Sequence, residues 1–109
     1  METRQSLIKK GWNKMNISNF QDVMNKLYFK KDKKRGINGT LNWLEEEVAE
    51  LRDALEKGDL EAAKNEFADV FAWLASLANM VSIDLEKAVL SKYNNKCPKC
   101  QSLPCECKE

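Results

Sequence analysis

The 109-residue chain contains no histidine. That absence excludes Ser-His-Asp and Cys-His nucleophile pairs, and every catalytic zinc site built on imidazole. A glycine-rich phosphate loop of the Walker or Rossmann kind is also missing. Two prolines and four glycines are too little punctuation for a many-stranded fold. No stretch approaches the roughly 20 apolar residues of a membrane span; the longest run, residues 70–78, is interrupted by Ser76. The first twelve residues are too polar for a secretory signal, so a cytoplasmic protein is expected. A formal net charge of +1 gives no reason to expect a membrane surface or nucleic acid as partner. Any reactive site must therefore be built from carboxylates, lysines, arginines and hydroxyls.

What is present suits helices. Hydrophobic residues make up 43% and charged residues 32% of a chain long enough for one domain with a modest core. A core of that size gains from a partner chain or a metal. Residues 1–17 are weakly patterned and read as an N-terminal extension. Ser18 can cap a helix reaching about Asp32, with Phe20, Val23, Met24, Leu27 and Tyr28 at helical spacing. A basic run and a loop, Gly36 to Gly39, follow. Thr40 can cap a second helix with the stripe Leu44, Val48, Leu51 and Leu55, ended by Gly58. Asp59 can cap a third helix to about Met80. From Phe67 onward it is apolar almost all round, which predicts a central, buried position. Asp84 can cap a fourth helix to about Tyr93. The expected fold is all-α: an antiparallel bundle of about four helices over residues 18–95, with a separate tail at 96–109.

The bundle carries an acidic constellation. Glu47 and Glu50 are three residues apart, as are Glu66 and Asp69, so each helix presents a carboxylate pair on one side. Glu50 and Glu66 are equally distant from the turn at Gly58 and Asp59, which sets the two pairs at one height in a helical hairpin. Asp69 lies among Phe67, Ala68, Val70, Phe71, Ala72 and Trp73, where an unpaired carboxylate is costly to bury. Converging carboxylates repel one another and take up protons or a cation. No Lys or Arg occurs between Lys64 and Lys87 to neutralise them. Oxygen-only ligands select a hard ion, Mg²⁺ or Mn²⁺. Glu45, Glu56 and Glu61 read as ordinary solvated helix surface.

The pattern Glu46-Glu47-x-x-Glu50 followed by Glu66-x-x-Asp69 resembles the signature of the MazG nucleotide pyrophosphohydrolases. The segments around Thr40 to Leu51 and Glu66 to Leu74 are similar to short archaeal and bacterial members, as is the preceding stretch from Tyr28 to Gly36. The likeness covers about residues 18–95. It implies an all-α fold that assembles as a homodimer or homotetramer. The implied activity is magnesium-dependent hydrolysis of a nucleoside or deoxynucleoside triphosphate to the monophosphate and pyrophosphate, a house-cleaning of the nucleotide pool. By this resemblance Glu47, Glu50, Glu66 and Asp69 match the metal ligands, and Glu46 is the additional acidic residue, so that Glu46 and Glu47 are the catalytic candidates. Some relatives read substrate with residues after the last helix, where this chain has Lys92, Tyr93 and Asn94.

Three features stay open at this level. Lys31, Lys34 and Arg35, with Lys92, suit a triphosphate, or else belong to solvated surface. Trp43 and Trp73 suit a base pocket or a core. Cys97, Cys100, Cys105 and Cys107 supply four thiols within the last 13 residues, suited to Zn²⁺ or else left as a reduced or disulfide-bonded tail. The competing functional reading is a helical, oligomeric binding module whose zinc tail contacts nucleic acid or protein without catalysis.

Overall fold

The structure, a computed structural model, describes residues 15–108. The expected N-terminal extension therefore lies almost wholly outside the described residues. Three helices follow in order: α1 (Ile17–Lys57), α2 (Leu60–Met80) and α3 (Leu85–Lys92), with no strand among the described residues. The all-helical expectation holds.

The helix count differs from expectation because of one residue. Gly36 has φ 84° and ψ 169°, a non-helical conformation within α1. That region of conformational space is essentially reserved for glycine. It breaks α1 into two helical segments without opening the expected loop over Gly36 to Gly39. Helix resumes at Ile37, so Thr40 is not a cap. It is fully buried, and its Oγ1 accepts from the Arg35 Nη1 at 3.4 Å. Arg35 also pairs with the buried Asp32 at 2.8 Å, and the Asp32–Arg35–Thr40 set ties the two sides of the kink together.

Caps fix the other boundaries. Asn16, not Ser18, caps α1: its side chain accepts from the Asn19 amide at 2.7 Å, and the Asn19 side chain accepts from the Asn16 amide at 3.2 Å. This reciprocal pair satisfies two amides the helix itself leaves free. Gly58, at φ 71°, ends α1 in the left-handed conformation, and the Asp59 amide reaches back to the Ala54 carbonyl. The expected caps of the next two helices are present. Asp59 accepts from the Ala62 amide and Asp84 from the Lys87 amide.

α1 and α2 form an antiparallel hairpin whose contact face is small. Ala54, Ala63, Ala75 and Ala78 are buried there with Ser76 and Thr40, which lets the two backbones come close. Phe20 and Phe71 meet with ring centroids 5.2 Å apart. α3 turns away from α2 at 98°. A polar clamp holds that corner: Gln21 donates to the Ile83 carbonyl and accepts from the Leu85 amide, while Asn79 donates to the Gln21 carbonyl.

The expectation that α2 is buried on all sides is corrected. Phe67 is 57% exposed, and Phe71 and Leu74 are also exposed. Leu60, Phe67, Leu74 and Val81 recur every seventh residue along an uncovered line. On α1 two members of the expected core stripe, Val48 and Leu55, are exposed and fall in line with Leu41 at the same seven-residue interval, while the other two, Leu44 and Leu51, are half-buried. Periodicity marks an apolar face without saying what covers it. Within this chain, the alanine-lined face is the one used. Among the described residues no single helix is long and apolar enough to cross a membrane.

Candidate functional site

The antiparallel hairpin brings the acidic residues of α1 and α2 together, with Glu47 rather than the expected Glu50 in the converging set. Glu47 on α1 and Glu66 and Asp69 on α2 each offer a carboxylate oxygen, and these oxygens all lie within 4.8 Å of one another. Two of the carboxylates are caught between the helices. The Oε2 atoms of Glu47 and Glu66 are sealed from solvent and have no hydrogen-bond partner, although each residue as a whole is only half-buried. A buried carboxylate oxygen without a donor is unfavourable. The Glu47 carboxyl is accordingly pushed up from 4.5 to about 7. Burial is the largest cause. A hydrogen bond between its protonated form and Glu66 comes next, then the charges of Glu50, Glu66 and Asp69. In the protein alone, protonation of Glu47 relieves the crowding. A divalent cation does the same with two charges. The donor set fits such an ion: three converging oxygens, two of them sealed and unpartnered.

The other acidic candidates lie close by. Glu50 is exposed, outside the trio of Glu47, Glu66 and Asp69; it lines a groove with Glu66 and contributes charge to Glu47. Glu46 is exposed and is not part of the converging set. Of the basic candidates, Lys31 and Arg35 line a cavity of about 310 Å³ that also takes in Asp69, Tyr28, Asp32 and Trp73. Lys34 does not line it, and Lys92 lies 5.7 Å from the Tyr93 ring on α3, also outside it. The cavity thus sets two cations of α1, Lys31 and Arg35, together with Asp69 of α2, one of the three converging carboxylates.

The two tryptophans left open by the sequence stack on each other. Their rings are 5.8 Å apart and within 7° of parallel, and the Arg35 guanidinium lies 4.7 Å from the Trp73 ring. Trp73 lines the cavity, while Trp43 stays about half exposed beside it. Asp32 was not singled out by the sequence because it sits inside a run of lysines. It is 2% exposed, holds Arg35 through Oδ1, and keeps a sealed Oδ2 without a partner. Its spacing of three from Arg35 was the available signal.

A second cluster lies past α3. The sulfurs of Cys97, Cys100, Cys105 and Cys107 are all within 4.8 Å of one another, and none is disulfide-bonded. Backbone amides, chiefly that of Glu106, pull the Cys100 thiol down to about 6, and amides of Cys100 and Lys99 lower Cys97. The Cys107 thiol is pushed up to about 11, first by its hydrogen bond with Cys105. Four such sulfurs can hold a metal ion.

A helical hairpin that gathers carboxylates next to a cation-lined cavity defines a class of site, one suited to a hard divalent ion and a polyanionic ligand. The sequence match makes the class specific. Residues 35–101 match the family model of the MazG nucleotide pyrophosphohydrolase domain, well over half of the chain, and the protein belongs to that family. The match begins at Arg35 and takes in every acidic candidate, together with the first two cysteines of the tail. No curated protein matches the chain.

Proposed function

We propose that the protein hydrolyses nucleoside or deoxynucleoside triphosphates to the monophosphate and pyrophosphate, with Mg²⁺ or Mn²⁺ held by Glu47, Glu66 and Asp69 and assisted by Glu50. The observation that carries this reading is the pair of sealed, unpartnered oxygens on Glu47 and Glu66, converging with Asp69, which lines a cavity together with Lys31 and Arg35. The bound ion would supply positive charge to the phosphate oxygens and acidify the attacking water. Lys31 and Arg35 draw the phosphates toward Asp69 and offset charge that builds up as the leaving group departs. Water adds to the α-phosphorus, and the bond to the bridging oxygen breaks. Pyrophosphate leaves with the electron pair, and the water's proton passes to a carboxylate, Glu46 or Glu47. Trp73, stacked on Trp43, lines the same cavity and offers aromatic surface to a base.

The same reading includes a second copy of the chain. The uncovered lines Leu41, Val48, Leu55 on α1 and Leu60, Phe67, Leu74, Val81 on α2 are more apolar surface than a lone hairpin of this size stably exposes. Two hairpins sharing these faces make a four-helix core, as a dimer or as half of a tetramer. A cytoplasmic setting and clearance of surplus or aberrant nucleotides complete the proposal.

The test is pyrophosphate release from a panel of NTPs and dNTPs, with and without Mg²⁺. Turnover is expected only with the metal. Loss of about a hundredfold or more is expected in Glu66→Gln and Asp69→Asn, with the helical circular dichroism retained. Intact protein that cleaves no triphosphate under any metal, or variants that turn over normally, would defeat the proposal.

A further inference from the structure

We propose that residues 97–107 form a closed, structural Zn²⁺ site with Cys97, Cys100, Cys105 and Cys107 as its four ligands, independent of the acidic site. The geometry comes first. A tetrahedral ion with Zn–S bonds of about 2.3 Å separates its sulfurs by about 3.8 Å. Cys97 and Cys107 sulfurs are 3.7 Å apart, and those of Cys100 and Cys105 are 3.9 Å apart. Sulfurs bonded to each other would sit at about half that distance.

The backbone is arranged around the sulfurs as well. The Gln101 amide donates to the Cys97 carbonyl at 2.8 Å, and the Cys97 amide donates to the Ser102 carbonyl at 3.0 Å. Gln101 takes a positive φ of 64°, which folds Cys97 and Cys100 back into a tight turn. On the other side, the Glu106 amide donates to the Cys100 sulfur and the Cys107 amide to the Cys105 sulfur, both at 3.3 Å. N–H donors aimed at sulfur offset the negative charge left when four thiolates surround one dication. Lys96, Lys99 and Lys108 add positive charge along the same segment.

The third observation is what the segment lacks. It contains no helix or strand, and none of its residues is buried; Leu103, its largest apolar side chain, is 77% exposed. A stretch this short, with no core, needs a ligand to hold one shape. Soft sulfur donors select zinc over the hard ions that suit Glu47, Glu66 and Asp69. The chain therefore sorts two metals by donor type. Four protein ligands leave no open position for substrate, so the role is structural.

The experiment uses the full chain, purified under reducing, anaerobic conditions without added metal. Elemental analysis is expected to find zinc equimolar with protein and retained on dialysis, and lost in the double variant Cys97→Ser/Cys105→Ser. After exchange with Co²⁺, the native chain is expected to show the intense visible bands of a tetrahedral thiolate site, absent in the double variant. Freely reactive thiols with neither zinc nor cobalt bands would overturn the proposal. So would equimolar iron, or disulfides in the anaerobic protein. Pyrophosphate release is read separately on the same samples, so failure of the zinc site and failure of the hydrolytic reading are distinguished.

Discussion

Metal binding at the acidic cluster should depend on pH through the proton that Glu47 must give up. Glu47 is protonated below about 7 and ionised above it. A divalent ion must displace that proton, so apparent affinity falls as the protonated fraction rises. For one group titrating at about 7, occupancy by the proton weakens binding about tenfold between roughly pH 8 and pH 6. The stability of the metal-free chain runs the opposite way. A carboxyl whose folded value is raised from 4.5 to about 7 contributes stability fully below the lower value and loses it as pH rises through the upper one. Added Mn²⁺ should accordingly raise Tm more at pH 8 than at pH 6. The assignment is clean because the chain has no histidine to titrate in this interval. Cys100, at about 6, also falls in range, but Mn²⁺ avoids thiolates. Direct titration with Mn²⁺, followed by its paramagnetic signal, measures the affinity. An affinity that is flat across this interval, or a slope that survives in Glu47→Gln, would refute the reasoning.

Three substitutions probe the scaffold. Gly36→Ala meets no neighbouring atom, so any cost comes from backbone conformation alone; about 1–3 kcal/mol of lost stability is expected in urea unfolding. Asp32→Ala removes the buried partner of Arg35 and is expected to cost about 2 kcal/mol and to raise KM more than it lowers kcat, as the Arg35 guanidinium loses its anchor beside the cavity. Phe67→Asp places a charge on the uncovered α2 line; sedimentation should show a smaller assembly than the native chain, and an unchanged mass would place the contact between copies elsewhere.

How far the sequence could be read follows from which forces are local. Asp59, Asp84 and Gly58 act on amides or dihedrals within a few residues, and all three do in the structure what their chemistry suggests. Residue counting through the turn sets Glu50 level with Glu66, and a helical hairpin with a short connection has little freedom of register; the acidic groups of the two helices do meet, but Glu47 rather than Glu50 joins Glu66 and Asp69 in the converging set. The sequence suggests Ser18 as the cap of α1, and Asn16 holds that place. The deciding feature is Asn19, which completes the reciprocal pair, while Ser18 instead donates to Glu86 on α3 and to Asp84, the cap of α3. Thr40 looked like a cap because glycines precede it, yet only Gly36 leaves helical geometry. The leucine stripe was legible as apolar but not as outward-facing, since side-chain periodicity is the same whether the cover comes from this chain or from another. Lys31 and Arg35, four residues apart on one face of α1, line the cavity, and Lys34 does not; the spacing was legible, but not which face the cavity takes.

The paired indoles give the protein a built-in optical reporter. Two nearly parallel rings in contact couple their excited states, so Trp43 and Trp73 should contribute a split near-ultraviolet dichroism band together with quenched emission. A ligand that slides between them, or lifts Arg35 from the face of Trp73, would change both signals at once. Occupancy of the cavity could then be followed in unlabelled protein, in real time, before any bond is cleaved.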